Sequence, residues 1–412
     1  MPLLQIGAAT RQDQAGSINA KRRSAVFSQA SLSGFFAAAL VLFLAIGGEA
    51  FADGAPIAAG REHSIFVASD GKVYATGDNR FGQLGLGHTR NRDRFTEASS
   101  LKGKKIIAIA AGAVHTFALN SDGKVYAAGD SGYGQLGVGD KKYRNKFVAV
   151  SSLNDKKIVA IATGGYHSLA LAKDGRLYAA GLNEVGQLGL DDRTDRYQFT
   201  EVSSFSGKKI IAIAAEAACS FTFDSDGRLY AAGYNEYGQL GVGDNKDRNK
   251  FVAVSSINDK KIIAVAAGDD RSLALASDGK VYTAGRYSYW LGLGDIGRGT
   301  NLDKFIEVST LSGKTITNIA AGSQYSLVVN NDGRVYATGH NRFGQLGLGE
   351  TGDRNRFVAA LSLNGKKAKA IAAGKKRLPA ADNDDAAESL EGGTIIAIAA
   401  GSVHSLALDS GG

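Results

Sequence analysis

The sequence contains very little cysteine, tryptophan, methionine and proline. Its 412 residues include one Cys, one Trp, one Met and three Pro. A single cysteine, Cys219, excludes an intramolecular disulfide and a cysteine-rich zinc site. Glycine is abundant instead: 54 residues without a three-residue period, in a chain that is 44% apolar, exclude collagen and disorder and indicate many tight turns. The composition therefore favours an all-β protein stabilised by its hydrophobic core.

The chain also lacks an apolar run long enough for a transmembrane helix. The run from Phe35 to Ile46 has 12 residues, whereas a spanning helix needs about 20. It follows Lys21-Arg22-Arg23 and precedes Ala50-Phe51-Ala52, which is the order of a basic region, an apolar region and a cleavage site. We therefore predict a cleaved signal peptide at residues 1–52, no transmembrane span in the mature chain, and a secreted, periplasmic or cell-surface protein. A retained anchor and a buried core segment are the alternative interpretations.

The rest of the chain, residues 53–412, is built from one repeat. Six Asp-Gly pairs, from Asp70-Gly71 to Asp332-Gly333, follow one another in steps of 52, 52, 52, 52 and 54 residues. Each unit contains four short β segments, and the Asp-Gly pair is a hairpin turn between the second and the third. Repeats of this length form arrays or propellers. Ala and Gly at positions where sheets approach closely favour a single β-propeller domain over a linear solenoid.

The repeated motifs resemble those of the regulator of chromosome condensation family. In five units a loop of the form G-x-N-x-x-G-Q-L-G-x-G joins A-A-G-x-x-H-S-L-A-L and D-G-x-[VL]-Y blocks; the loops span residues 78–87, 130–139, 182–190, 234–243 and 340–349. The resemblance covers about residues 56–408 and, given the predicted leader, is to an exported bacterial-type member. It implies a β-propeller of four-stranded antiparallel blades, commonly seven.

A count of strand motifs predicts the number of blades. The A-A-G and H-S-L-A-L pair of strands occurs seven times, whereas the V-Y and F-x-x-V strands occur six times. We therefore predict seven blades with an incomplete last one, or alternatively six complete blades and a spare pair of strands. The last pair is preceded by an insertion at residues 375–394, whose Pro, Gly and charged residues predict a solvated loop.

The repeat does not predict catalysis, a cofactor or a bound metal. Four of the six histidines occupy one repeat position, which Cys219, Arg271 and Tyr325 fill in other units: His63, His115, His167 and His404. Equivalent positions lie around a shaft, whereas metal ligands must converge to about 2 Å from one ion. We therefore interpret these histidines as hydrogen-bonded structural groups next to a Ser or Thr. Cys219 has no neighbouring base in the sequence and is interpreted as an inert buried residue.

Two surface features are candidates for binding, and the first is a set of paired lysines. The constant register places them on one rim: Lys104-Lys105, Lys156-Lys157, Lys208-Lys209, Lys260-Lys261 and Lys366-Lys367. A soluble mixed-charge rim and an anion-binding rim are both compatible with a net charge of +8, from 48 basic and 40 acidic residues. Because this excess is small and spread over the chain, we do not expect nucleic acid as a partner.

The second feature is the fifth unit, where the repeat is broken. Residues 286–290 replace the usual Gly-Gln loop with an Arg-Tyr-Ser-Tyr-Trp sequence, and a lengthened stretch containing Arg298 follows. Trp, Tyr and Arg are enriched at the energetic centres of protein interfaces. We therefore predict a binding site that comprises Arg286, Tyr287, Tyr289, Trp290 and Arg298. Local packing of a decayed repeat is the alternative.

These features predict a non-catalytic, exported interaction scaffold that binds a protein or a cell-surface polymer through propeller loops. An exported propeller of the family that inhibits β-lactamases is similar in architecture, but no contact residue can be transferred from it. The resemblance implies one alternative, guanine-nucleotide exchange on a small GTPase with chromatin binding. An exchange factor of that kind uses an inserted wedge, for which the 52-residue steps leave no room. The family's ultraviolet photoreceptor relies on tryptophan clusters, and this chain has a single tryptophan.

Overall fold

The structure, a computed structural model, describes residues 57–68, 71–205, 207–286, 290–295, 299–322 and 324–360, and strands at 395–400 and 405–409. These residues form six four-stranded antiparallel sheets and one two-stranded sheet. The expected all-β propeller of four-stranded antiparallel blades is therefore confirmed, with six complete blades. The predicted signal peptide at 1–52 and the insertion at 375–394 lie outside the described residues.

Strand order within each blade follows the chain from the innermost to the outermost strand. Blades 1 to 3 contain β1 (Ile57–Ala59), β2 (His63–Val67), β3 (Val73–Gly77), β4 (Arg92–Glu97), β5 (Ile106–Ala111), β6 (His115–Asn120), β7 (Val125–Gly129), β8 (Arg144–Ala149), β9 (Ile158–Thr163), β10 (His167–Ala172), β11 (Leu177–Gly181) and β12 (Arg196–Glu201). Blades 4 to 6 contain β13 (Ile210–Glu216), β14 (Cys219–Asp224), β15 (Leu229–Gly233), β16 (Arg248–Ala253), β17 (Ile262–Ala267), β18 (Arg271–Ala276), β19 (Val281–Gly285), β20 (Leu302–Glu307), β21 (Ile316–Ala321), β22 (Tyr325–Asn330), β23 (Val335–Gly339) and β24 (Arg354–Ala359). The two-stranded sheet contains β25 (Ile395–Ala400) and β26 (Ser405–Asp409).

The two-stranded sheet takes its place in the ring of blades. Cα atoms of β1 lie within 8 Å of β5 on one side and of β25 on the other. The innermost strands β5, β9, β13, β17 and β21 also approach one another in this order. The two strands predicted for the last blade are thus found beside blade 1, and the described part of that blade has no third strand.

The hydrophobic cores lie between consecutive blades. One core combines Phe117 and Leu119 of blade 2 with Ile161 and Phe199 of blade 3, and the same arrangement recurs at the four other junctions from blade 1 to blade 6. Small residues on the innermost strands, such as Ala110 and Ala162, allow this close approach. Burial of Ala, Ile and aromatic side chains between sheets therefore joins the blades.

A second contact between blades explains the glycines of the G-Q-L-G loop. Leu86 of blade 1 forms an isolated antiparallel bridge with Lys146 on the outermost strand of blade 2. Gly85 has a positive φ of 67°, and a Cβ at this position would lie 2.3 Å from the ring of Phe147. Only glycine therefore fits between the loop and the neighbouring aromatic ring. Each loop in turn holds the outermost strand of the next blade.

Candidate functional site

The propeller has two faces with different residues. We call the face that carries the G-Q-L-G loops (residues 78–91, 130–143, 182–195, 234–247 and 340–353) the loop face. The opposite hairpin face carries the Asp-Gly turns, such as Asp122-Gly123 and Asp174-Gly175, between the second and third strands. Because the strands are antiparallel, the turn before each second strand also opens on the loop face.

Histidines at the start of the second strands connect blades 1 to 4 near the loop face. His115 Nε2 lies 3.0 Å from Ser168 Oγ of the next blade, and Ser168 donates to the Gln135 carbonyl at 2.8 Å. His63 contacts Thr116 and His167 contacts Ser220 in the same way, at 2.8 Å and 2.9 Å. The expectation of hydrogen-bonded structural histidines is confirmed for these three residues, and their partners are hydroxyl groups of the next blade; His404 lies outside the described residues.

The glycine three residues before each histidine leaves room for the imidazole. A Cβ at Gly112 would lie 2.2 Å from His115 Cε1, and the same clash would occur at Gly60 and Gly164. The A-A-G-x-x-H motif is therefore a packing motif. In each inter-blade hydrogen-bond chain the single hydroxyl proton goes to the carbonyl, so Nε2 of the histidine must be the donor to the hydroxyl oxygen.

This environment keeps the imidazole neutral. His115 is completely buried, and burial, with smaller effects of His63 and His167, lowers its pKa to about 3. Its Nδ1 atom is buried without a hydrogen-bond partner. Within the described residues no group of three or more His, Cys, Asp or Glu side chains could hold a metal ion. These histidines support the fold and are poorly suited to proton transfer at neutral pH.

Blade 4 departs from this pattern at two linked positions. Glu216 replaces the glycine, and Cys219 replaces the histidine; both are buried. A side chain at the glycine position would collide with an imidazole, as the clash between Gly164 and His167 shows. The smaller Cys219 removes that collision, and its Sγ contacts the Tyr234 carbonyl at 3.2 Å. The free thiol is buried, in agreement with the expectation for Cys219.

Blade 5 places a charged residue at the same position. Arg271 is fully buried, and its Nη1 donates to the Trp290 carbonyl at 3.3 Å. Trp290 aligns with Gln83 of blade 1, whose carbonyl accepts from the Thr116 hydroxyl. Arg271 thus bonds directly to the carbonyl that a Ser or Thr hydroxyl reaches elsewhere. The hydroxyl expected to do so here, Ser326 Oγ, is buried without a partner.

Arg271 is the innermost, buried member of an aromatic and charged cluster on the loop face, which we call the blade-5 cluster. Asp270 lies 3.4 Å from Arg271 Nη2 and 3.8 Å from Arg286 Nη1. Burial raises the pKa of Asp270, and the guanidinium groups of Arg271 and Arg286 oppose that rise. The Arg286 guanidinium lies 4.5 Å from the centre of the Tyr237 ring, a cation–π contact.

Trp290 connects this cluster to blade 6. Its indole lies 6.0 Å from the Arg271 guanidinium and packs edge-on against His340 at 5.8 Å. His340 in turn packs against Phe343, which is 45% exposed. The side chains of blades 4, 5 and 6 therefore form one continuous patch from Tyr237 to Phe343.

The structure brings together two of the five residues predicted for the binding site. Arg286 and Trp290 both contact the pair of Asp270 and Arg271, whereas Tyr287, Tyr289 and Arg298 lie outside the described residues. Asp270, Tyr237, His340 and Phe343 were not selected from the sequence. The sequence did mark Arg271 as unusual, because it occupies the repeat position where other units have histidine.

Exposed aromatic residues continue around the loop face. Phe81 and Tyr133 are 39% and 43% exposed and precede the Gly-Gln pair, as Phe343 does. The polar residues of these loops are internal: Asn79 accepts from Leu84 N and donates to the His88 carbonyl. The loops thus expose apolar rings on a rigid, internally bonded backbone.

The pairs of lysines lie on the hairpin face. Four of the five predicted pairs precede the innermost strands β5, β9, β13 and β17 there, and Lys366-Lys367 lies outside the described residues.

Within the described ranges, the protein has no helix of the length and apolar character needed to cross a membrane.

Comparison with known proteins agrees with this architecture. A family model for the RCC1-like domain matches residues 54–379. The ultraviolet-B receptor UVR8 of Arabidopsis thaliana is 34% identical over 301 residues, which cover 72% of this chain and 68% of the receptor. Human E3 ubiquitin-protein ligase HERC2 is 34% identical over 324 residues, which cover 76% of this chain and 7% of the ligase. Human X-linked retinitis pigmentosa GTPase regulator is 34% identical over 75% of this chain and 30% of its own length. The chain thus spans less than a third of these last two relatives.

Solved structures share the fold. Human WBSCR16 superposes with a TM-score of 0.70 at 22% identity over 88% of both chains. Prp20p from Saccharomyces cerevisiae, which was studied for its binding to Gsp1p and histones, has a TM-score of 0.65 at 25% identity over 74% of this chain and 76% of its own.

Proposed function

Because this chain belongs to the family of RCC1-like domains, we propose that it is an exported, non-catalytic scaffold that binds a protein or a cell-surface polymer through its loop face. The blade-5 cluster is the centre of the proposed binding site. Proteins similar to this chain include some that bind other proteins, such as Prp20p. Rigid loops that carry exposed rings suit such binding, because little conformational entropy is lost when they are covered.

The observation that carries the proposal is the continuity of the blade-5 cluster. Arg286 is held by Asp270 and stacked on Tyr237, and Trp290 is half-buried between Arg271 and His340. Pre-positioned Trp, Tyr and Arg side chains are the typical energetic centre of an interface. The loop of blade 1 presents one exposed ring, Phe81, and the loop of blade 2 presents two, Tyr133 and Tyr143.

Binding at this site is tested by capture on the immobilised protein, followed by titration with the captured partner. Replacement of Tyr289 and Trp290 by Ala should weaken binding by about 2 kcal/mol or more, because both aromatic anchors are lost. The control is Ile306→Ala with Arg176→Ala, two exposed residues outside the loop face, which should leave the affinity unchanged. If the double variant melts at a lower temperature, Arg286→Ala is used for the binding test instead, because it truncates one surface side chain only. Equal affinity of all variants would contradict the assignment.

Export is tested by fractionation of the native host and sequencing of the mature N-terminus. The basic, apolar and small-residue regions of residues 21–52 support cleavage near Ala52. We expect a mature chain that begins near Asp53 outside the cytoplasm. A cytoplasmic protein with an intact leader would refute export without bearing on the loop face.

The alternative function is guanine-nucleotide exchange on a small GTPase with chromatin binding. Similarity to Prp20p supports it. The even spacing of blades 1 to 4 opposes it, since their turns contain no long insertion. Release of a fluorescent guanine nucleotide from a small GTPase of the host measures this activity directly, and we expect no acceleration by the protein.

A further inference from the structure

The hairpin face has a second surface, which the proposed function does not use. Three of the four first lysines in the described residues contact their own blade, because their ammonium groups lie over buried tyrosine rings. The distances to the ring centres are 5.6 Å for Lys104 and Tyr126, 5.8 Å for Lys156 and Tyr178, and 4.6 Å for Lys208 and Tyr230. These contacts are cation–π interactions. The first lysines are therefore structural in large part.

The second lysines are placed differently. Lys105, Lys157, Lys209 and Lys261, here called the lysine ring, immediately precede the innermost strands and are all exposed. The stems of the last three cross the Asp-Gly turn of the preceding blade: their Cγ atoms would lie 3.2 Å, 2.7 Å and 2.8 Å from a Cβ on Gly123, Gly175 and Gly227. The innermost strands of consecutive blades approach one another, so the four lysines follow one another along the hairpin face of blades 2 to 5.

Several acidic side chains near this face pair with other cations. Asp155 and Asp259 pair with first lysines at 2.8 Å and 2.7 Å, and Glu307 pairs with Lys280 at 3.0 Å. Asp174, in a hairpin turn, lies 3.5 Å from Arg176. Among the ion pairs of the described residues, none includes a member of the lysine ring. Four positive charges thus lie on one face of blades 2 to 5, outside the ion pairs of the described residues.

An apolar collar accompanies the charges. Ile107, Val159 and Ile263 follow the ring lysines by two residues, and they are 51%, 45% and 38% exposed. These three residues are left unpaired by a β-bulge near the start of the innermost strand, so three blades expose an aliphatic side chain close in sequence to a ring lysine. A ligand with carboxylates and short aliphatic parts fits this arrangement.

The same surface is less suited to nucleic acid. Proteins that bind single strands stack bases on exposed aromatic rings, whereas the tyrosines beside the lysine ring are buried: Tyr126, Tyr178 and Tyr230. Duplex binding requires contacts to phosphates along an extended track, whereas the lysine ring offers four lysines on one face.

We propose that the lysine ring on the hairpin face binds an acidic polypeptide segment of a partner protein, on the face opposite the blade-5 cluster. The ammonium groups pair with consecutive carboxylates, and the collar covers the methylene groups of Asp and Glu side chains. Such binding is governed by charge and weakens with added salt. This site is independent of the proposed loop-face function, and either can fail without the other.

The test is fluorescence anisotropy with fluorescein-labelled decaglutamate and the full chain at two salt concentrations. Replacement of all four ring lysines by Gln should weaken binding at least tenfold. The matched control replaces Arg94, Lys142, Lys146 and Lys246 by Gln, which removes the same charge from exposed positions away from the hairpin face; it should change the affinity less than threefold. Lys157→Gln with Lys209→Gln, expected to weaken binding about threefold, serves if the quadruple variant does not fold.

Three outcomes would overturn the proposal. The first is no binding of decaglutamate by the native chain at low salt. The second is an equal loss in the ring variant and the control variant, which would show that net charge alone attracts the peptide. The third is tighter, ring-dependent binding of a single-stranded 20-mer oligonucleotide than of decaglutamate, which would assign the surface to nucleic acid.

Discussion

Blades 1 to 3 and blade 5 use the same backbone position near the loop face in opposite ways. In blades 1 to 3 a neutral histidine bonds to a hydroxyl of the next blade, and that hydroxyl bonds back to a loop carbonyl. In blade 5 the fully buried Arg271 bonds to the carbonyl itself and needs Asp270 as a counter-ion. In blades 1 to 3 this position joins neighbouring blades through neutral hydrogen bonds, whereas in blade 5 it introduces a buried charge. Aromatic and charged side chains of the loop face gather around this exception.

Arg271 should be the most sensitive of these positions. Arg271→Ala removes the nearer cation from a buried carboxylate and leaves Asp270 only Arg286, at 3.8 Å, so we expect a loss of about 3 kcal/mol in the free energy of unfolding. Arg271→His should lose less, because an imidazole there can donate to the partnerless hydroxyl of Ser326. Urea denaturation of both variants measures the difference. Equal losses would mean that blade 5 cannot adopt the hydrogen-bond chain of blades 1 to 3.

The serine that follows the first residue of the second strand should also differ in its effect on stability between blade 3 and blade 5. Ser168→Ala leaves His115 Nε2 and the Gln135 carbonyl unpaired, so we expect a loss of about 1–3 kcal/mol. Ser272 occupies the equivalent position in blade 5, but its buried hydroxyl has no partner. Ser272→Ala should therefore change the free energy of unfolding very little. Similar losses in the two variants, measured by urea denaturation, would contradict the distinction.

Acid should destabilise the histidine blades. The pKa of His115 is about 3 in the folded protein and about 6.5 in an unfolded chain. Between these values the unfolded chain binds a proton that the folded protein does not. Stability is therefore complete above pH 6.5 and falls as the pH decreases, by about 1.4 kcal/mol from pH 7.0 to 5.5 for this one group.

The variant His115→Gln tests this dependence, because it removes the titrating group. The difference in unfolding free energy between pH 7.0 and 5.5 should shrink in this variant. His88→Gln is the control: His88 is half-buried on a loop, and we expect a smaller change there. An undiminished pH dependence in His115→Gln would show that other groups cause it.

Much of the fold was predictable because every repeat carries the same local signals for its turns and strands. Asp-Gly turns, alternating strands and the seven-to-six count of strand motifs predicted six complete blades and a further pair of strands, and the structure contains both. Repeated local signals need little knowledge of distant contacts, since each blade contacts its neighbours in a constant register.

The candidate site was less predictable, because its residues meet only through the ring. Arg286 and Trp290 stood out as departures from the repeat, but Tyr237 belongs to a regular loop of blade 4 and His340 to one of blade 6. Their contacts join positions about 50 residues apart. Likewise, the sequence placed all paired lysines on one rim and did not distinguish the first lysine of each pair from the second.

The sequence by itself determined the strand order, the number of complete blades and the structural character of the histidines, because these depend on local turn chemistry and on one repeated motif. The tertiary structure decided which residues become partners. Ring geometry places each side chain against the next blade, so Gly112 is required by His115, Glu216 is accommodated by Cys219, and Arg271 acquires Asp270 and the carbonyl of Trp290. Packing and desolvation at these junctions arise only when the blades meet, and they set which polar groups are buried and which remain on the surface for binding.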